Sequence, residues 1–379
     1  LNSKVGLILS GGGARAAYQV GVLKGINKIL PSKLPNPYDI ISGTSAGAIN
    51  GIALASFADN YRIGVRHLER IWGSFECEQV YRTDFPGVSY SLARLVRTLI
   101  IGRRFKNDIV SVLDNTPLTE LLQDAIHFDN IQKNIDNNHL HAITVNCSSL
   151  SSGESISFFQ GHYSINNWER PRRKGIRSRL TLNHLLASSA IPMIFPARKI
   201  HREYYADGAV RQQAPLSPAL HLGAEKILVI GVSGESNKIK KEEILSPYPS
   251  PARIMGHMLN AAFLDSMESD VARLHRINRT VSKIPEKVRN KEEMELKHVG
   301  ILEIKPSFSI DEIAGKHAKE MPWALRLALG GSGNTSQSGS GLLSYLLFSK
   351  GYCRELIDLG YHDALSRSKE VKEFFADRL

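Results

Sequence analysis

The chain has 379 residues, enough for two or three domains or for one large domain with additions, and enough to bury a substantial core. Its 42% hydrophobic and 22% charged residues are those of an ordinary globular protein and exclude a disordered or fibrous chain. Its 48 basic and 37 acidic residues leave a formal charge of +11, which suits an anionic partner, a lipid surface or a nucleic acid, without choosing between them.

In chain order, Val5-Gly6-Leu7-Ile8-Leu9 is a short apolar run ending in glycines, as expected of a buried strand of a parallel sheet. Val20, Leu23, Ile26, Ile29 and Leu30 follow at helical spacing, which predicts a helix from Ala16 to Leu30 that Pro31 stops. The order repeats with a strand at Tyr38-Asp39-Ile40-Ile41, a turn from Gly43 to Gly47 and a helix over Ala48 to Ala58. Two consecutive strand-turn-helix units predict a three-layer α/β fold, a mostly parallel sheet flanked by helices. A mostly helical stretch precedes further strands at Ala142 to Cys147, Ile156 to Gln160 and Lys226 to Ser233.

Gly234 to Pro251 is rich in Ser, Lys, Glu and Pro and reads as a linker, so a catalytic domain over 1–235 and a mainly helical C-terminal region over 236–379 are expected. That region should pack on the first domain or extend it. Arg253 to Asn278 reads there as one long amphipathic helix, Ser282 to Lys297 as a charged solvated stretch, Ile301 to Lys305 as an edge strand and Gly330 to Gly341 as a Gly/Ser loop.

Two turns carry chemistry. Gly43-Thr44-Ser45-Ala46-Gly47 is a Gly-x-Ser-x-Gly pattern between a strand and a helix, where small neighbours let a sharp turn project a serine hydroxyl. Gly11-Gly12-Gly13-Ala14-Arg15 lies at the same edge of the sheet and offers backbone N–H groups at a helix start. As a nucleotide cradle the loop is a poor fit, because Gly-x-Gly-x-x-Gly and Gly-x-x-x-x-Gly-Lys-Ser/Thr are both missing; a plain tight turn stays open. A serine hydroxyl needs a base, and none of the 13 histidines sits in an obvious motif. Asp207, in Tyr204-Tyr205-Ala206-Asp207-Gly208-Ala209, is the better candidate.

Gly11 to Arg15, Gly43 to Gly47 and Asp207-Gly208-Ala209, in that order, resemble the three signatures of patatin-like phospholipases, and Ala187 to Pro196 resembles the family's segment before its catalytic Asp. The likeness covers about residues 1–235. It implies a Ser–Asp dyad in which Ser45 attacks an ester carbonyl of a phospholipid or related lipid and Asp207 takes its proton. Gly11, Gly12 and Gly13 would form the oxyanion hole, with Arg15, Gly43, Gly47 and Gly208 as supporting motif positions. The family's arginine maps onto Arg15, with structural pairing and phosphate contact both open. Ala16 and Ala209 stand where many members have Gly, which bears on loop geometry more than on chemistry.

A catalytically idle lipid-binding protein and a Ser-His-Asp esterase using His221, His257 or His275 are the competing readings. No cofactor and no metal are expected, since no His/Cys cluster or acidic Ca²⁺ loop occurs. Cys77, Cys147 and Cys353 lack metal-ligand spacing and are odd in number, so a reducing compartment is expected. With no signal peptide visible and no apolar run of membrane-spanning length, the expectation is a cytoplasmic protein with at most peripheral membrane contact; secretion by another route and the oligomeric state stay open. Tyr90 to Lys106 places Leu92, Leu95, Val96, Leu99 and Ile100 on one helical face beside Arg94, Arg97, Arg103 and Arg104, which suits either an anionic lipid headgroup layer or a core-packed helix with a basic edge. A second cluster, Arg170, Arg172, Arg173, Lys174, Arg177 and Arg179, reads as a solvated loop or a lipid-phosphate contact. Nucleic acid is not expected, because neither cluster interleaves aromatics.

Overall fold

The computed structural model describes residues 3–32, 34–82, 111–234, 251–285, 288, 297–328 and 340–379. The basic segment from Tyr90 to Lys106 lies outside them, as do most of the linker, of the Ser282 to Lys297 stretch and of the Gly/Ser loop. Ten strands form one sheet: β1 (Val5–Leu9), β2 (Ile40–Thr44), β3 (Ala142–Ser149), β4 (Ser155–Gly161), β5 (Trp168–Arg170), β6 (Arg173–Arg177), β7 (Arg198–Ile200), β8 (Glu203–Asp207), β9 (Lys226–Ile230) and β10 (Gly300–Ile304). Their order is β10-β9-β1-β2-β3-β4-β6-β5, with β8 added to the end of β3 and β7 to β8. The five strands from β10 to β3 are parallel, whereas β4 runs antiparallel to β3. The sheet is therefore mixed, parallel in the part the first two units predict, while at the other margin the antiparallel pairs β3–β4 and β5–β6 flank the parallel pair β4–β6.

The three layers follow from alternation along the buried strands. On β1, Val5, Leu7 and Leu9 join the larger core, while Ile8 faces the opposite side with Ile40, Ile227 and Val229. Strands apolar on both faces need cover on both. One cover consists of α1 (Ala17–Ile29), α2 (Ala46–Ser56), α3 (Tyr61–Trp72) and the helix Lys350–Ser366. The other contains the helices Ser217–His221 and Ser266–Val281, whose Ala219, Met267, Val271 and Leu274 pack against Ile8 and its neighbours.

A 3₁₀ turn at Gly13–Ala16 leads into α1, and the chain leaves the helix at Leu30, immediately before Pro31. The apolar spacing marks one face of α1, yet Ala17 to Leu23 are all buried, because the helix Lys350–Ser366 covers the outer face. Gly21 permits the contact: a Cβ there would stand 2.0 Å from the Ile357 carbonyl oxygen. Strand β10 also comes from the C-terminal region, which thus supplies both an edge of the sheet and part of the main core.

The predicted long helix is interrupted. It runs as Pro251–Asn260 and Ser266–Val281, joined by a π-helical turn at Ala261–Asp265. Such turns are rare within α-helices and frequent at functional sites, and Phe263, inside this one, is buried. The sequence reading assigned no strand to residues 168–177 or 198–207, where β5 to β8 form. They form two tight antiparallel hairpins, β5 with β6 and β7 with β8, whose short strands carry too few apolar residues for an alternating pattern to show.

Candidate functional site

Strand β1 sits where the chain order reverses, with β2 on one side and β9 on the other, and the loops after β1 and β2 leave the same edge. Crevices at such edges are the usual ligand sites of open α/β sheets. Ser45 occupies the turn between β2 and α2 with φ 55°, a left-handed conformation that L-residues avoid. Small neighbours make the turn possible: a Cβ on Gly43 would stand 2.4 Å from the Ala48 Cα, and one on Gly47 2.3 Å from the Leu9 carbonyl oxygen. Ser188 ties the turn down, since its hydroxyl accepts the Ser45 N–H at 2.8 Å and donates to the Asn146 carbonyl at 2.6 Å.

Asp207 arrives at the same place from another strand. Thr44 pairs with Asn146 on β3 and Asp207 pairs with Cys147, so β8 takes up β3 where β2 leaves it. The Asp207 N–H donates to the Ala190 carbonyl at 2.9 Å, and Ser148 donates to the Asp207 carbonyl at 2.8 Å. The carboxyl is wholly buried. Its Oδ1 accepts the Ala209 N–H at 3.0 Å, and Oδ2 has no hydrogen bond of good geometry among the described residues. Burial pushes its pKa up to about 7, and the nearby Ser45 hydroxyl and the Ala209 N–H hold it back only in part.

The glycine loop lies over Ser45. A Cβ on Gly11 would stand 3.0 Å from the Ser45 Cβ, and among the described residues the N–H groups of Gly11 and Gly12 donate to no other group. Gly13, at φ +55°, is pressed against the helix Ser340–Leu346: a Cβ there would come 2.2 Å from the Tyr345 carbonyl oxygen. Arg15 is 2% exposed and faces away from solvent. It donates to Ser344 at 2.9 Å, pairs with Asp311 at 2.7 Å and stacks over the Tyr345 ring at 4.1 Å. Of its two open roles, the structure gives it the structural one, a tie between the glycine loop and the C-terminal region.

Beneath the loop runs a buried polar chain. Gln19 donates to the Ser10 carbonyl at 2.8 Å, Asn50 to Gln19 at 3.0 Å and Trp72 to Asn50 at 2.7 Å. Beside Ser45 opens a narrow apolar cavity of about 30 Å³, with Ile49, Trp72, Phe75, Ile191, Phe195 and Phe348 in its wall. That volume holds about one water, so an acyl chain would enter only as these side chains part.

The three histidines of the esterase reading lie elsewhere. His221 stacks on Trp168 at 5.1 Å, His275 lines a separate cavity beside β10, and His257 is exposed. None of them is hydrogen-bonded to Asp207. Among the described residues no group of three or more His, Cys, Asp or Glu is placed to hold a metal ion, and no helix is long and apolar enough to cross a membrane.

A family model described as patatin-like phospholipase matches residues 7–220. The chain belongs to the patatin-like phospholipase family. Two curated relatives share the same name, cGAMP-activated phospholipase: one from Pseudomonas aeruginosa is 25% identical over 57% of this chain and 55% of its own length, and one from Escherichia coli is 24% identical over 55% and 52%. The chain thus spans about half the length of these relatives. Among solved structures, human GIVD cytosolic phospholipase A2 in complex with methyl gamma-linolenyl fluorophosphonate aligns with all of this chain and 60% of its own, at 12% identity and a TM-score of 0.43.

The fold brings Ser45, Asp207 and the Gly11 to Gly13 loop together at one edge of the sheet. Gly208 is also constrained, since a Cβ there would stand 2.3 Å from the Asn146 carbonyl oxygen. Sequence reasoning missed Ser188, Asn146, Asp311 and Ser344. Ser188 lies inside the segment already singled out for its likeness to the family, so a signal was present. Asp311 and Ser344 carried none.

Proposed function

We propose that this chain is a lipid acyl hydrolase that cleaves carboxylic esters of phospholipids or related lipids through Ser45 and Asp207. The observation that carries the reading is a buried carboxyl with a pKa near neutrality and an unpartnered Oδ2, brought beside a serine on a strained strand-to-helix turn. In this reading the Ser45 hydroxyl attacks the ester carbonyl while Asp207 takes its proton. The N–H groups of Gly11 and Gly12 receive the developing oxyanion, a contribution of about 10²- to 10³-fold per donor in comparable sites. Asp207 then returns the proton to the departing alcohol, leaving an acyl-serine. Water releases the fatty acid, with Asp207 again as the base.

Family membership and the apolar cavity beside Ser45 support a lipid ester as substrate. Incubation of the full chain with a mixed phospholipid extract, followed by mass spectrometry of fatty acids and lyso-species, tests it. Wild type should release both and Ser45→Ala neither. Equal release by the two proteins, or no release by wild type from any lipid class, overturns the proposal.

A further inference from the structure

The second basic cluster divides once the chain is folded. Lys174 pairs with Glu154 and Glu169, each at 3.2 Å; Arg177 donates to the Gly161 carbonyl at 2.8 Å; Arg179 pairs with Asp129 at 2.7 Å. Arg172 and Arg173 bond to no described side chain. Instead they share the wall of a cavity of about 140 Å³ with Arg211 and Arg273, residues remote in the chain. The four guanidinium groups come from three places: the β5–β6 turn, the turn after Asp207, and the helix Ser266–Val281.

Among the described residues no carboxylate lines this cavity; Asp270 pairs with Arg273 at 3.2 Å and also feels the charge of Arg173. One carboxylate against four guanidinium groups leaves the hollow net positive, which favours an anion there. Of the four, Arg173 also acts on His221, whose pKa is lowered by burial and then by Arg170, outside the cavity, and by Arg173. Arg172 itself has φ 61°, at a turn position following Pro171 where Gly or Asn is the usual choice. A bulky side chain is strained there, and such local strain concentrates at binding sites.

We propose that this cavity binds a phosphate group, as a mono- or diester, through Arg172, Arg173, Arg211 and Arg273. The planar guanidinium matches phosphate oxygens bidentately. At about 30 Å³ per water, the volume equals four or five water molecules, which fits one phosphate and leaves its organic substituent outside. Arg211 follows the 3₁₀ turn Gly208–Val210, immediately after Asp207, so the cavity opens at the sheet edge that carries Ser45. The inference does not rest on the hydrolase reading, because binding needs neither Ser45 nor Asp207.

The test uses the full chain and two probes. Glycerol 3-phosphate is titrated calorimetrically, and phosphatidylcholine vesicles with and without phosphatidic acid are used in co-sedimentation. The proteins are wild type, Ser45→Ala, the control Lys133→Gln on the helix Phe128–Asp136, and the double variant Arg172→Gly with Arg211→Gln. Glycine relieves the left-handed position, so the double variant should melt no lower than wild type, which separates lost binding from lost folding. Wild type, Ser45→Ala and Lys133→Gln should bind alike and the double variant at least tenfold more weakly. A loss with both probes, or with glycerol 3-phosphate alone, supports a site for soluble phosphates; a loss confined to phosphatidic acid vesicles supports a lipid headgroup. Equal binding by wild type and the double variant, or no binding of either probe, overturns the proposal.

Discussion

Ser45 and Asp207 reach the same point of β3 from two different strands. Thr44, the last residue of β2, pairs with Asn146, and Asp207, the last residue of β8, pairs with Cys147. Their spacing is therefore set by backbone register, which shifts only in whole residues. The proposed dyad inherits the rigidity of the sheet.

Asp207→Asn should abolish ester hydrolysis while leaving the fold intact. In wild type the base must be ionised, so kcat/KM should rise with pH through about 7. A pH–rate profile checks this, and a rise centred near 4 would show a solvated carboxyl.

The same carboxyl should cost stability. Its pKa is about 7 in the folded chain against 3.8 for the free group, so the folded state holds a proton that the unfolded state has lost between those values. Stability then falls as pH rises from about 4 to about 7 and levels off above. At 1.36 kcal/mol per unit the difference is on the order of 4 kcal/mol. Asp207→Asn should accordingly be more stable than wild type at pH 8 and closer to it at pH 4, as measured by urea denaturation.

Ser188→Ala removes the acceptor of the Ser45 N–H and the donor to Asn146 while the strands keep their register. An unsatisfied buried N–H costs about 1–3 kcal/mol, and the turn should loosen. Steady-state kinetics should show kcat lowered roughly tenfold to a hundredfold with KM little changed, since small misplacements of a nucleophile act on the chemical step. An unchanged kcat would remove Ser188 from the positioning role.

Asp311→Asn leaves the Arg15 charge buried without its counter-ion. Breaking a fully buried pair costs about 3–5 kcal/mol. Because Asp311 is 35% exposed, roughly 2 kcal/mol is expected here. Hydrolysis should fall with it, because Arg15 lies two residues after Gly13. Denaturation and activity measured on the same variant check the coupling; loss of stability with full activity would separate the tie from the loop.

Much of this site was legible in the chain because its chemistry is local. A strand, a glycine-flanked serine and a helix start occupy consecutive residues, and backbone sterics at Gly43 and Gly47 require that order wherever the unit folds. The glycine loop, Ser45 and Asp207 could thus be named, and the two strand-turn-helix units implied a layered sheet. The periodicity of α1 could not reveal that its outer face is buried, since the helix that covers it begins at Lys350. Nor could it place Arg15, whose partners Asp311 and Ser344 lie about three hundred residues away. Strands β5 to β8 are not legible because these short hairpins, Trp168–Arg170 with Arg173–Arg177 and Arg198–Ile200 with Glu203–Asp207, carry too few apolar residues for an alternating pattern to show. Burial, too, belongs to the fold: Asp207 is an ordinary carboxylate in the sequence, and only the packing around it removes the water that would keep its pKa low.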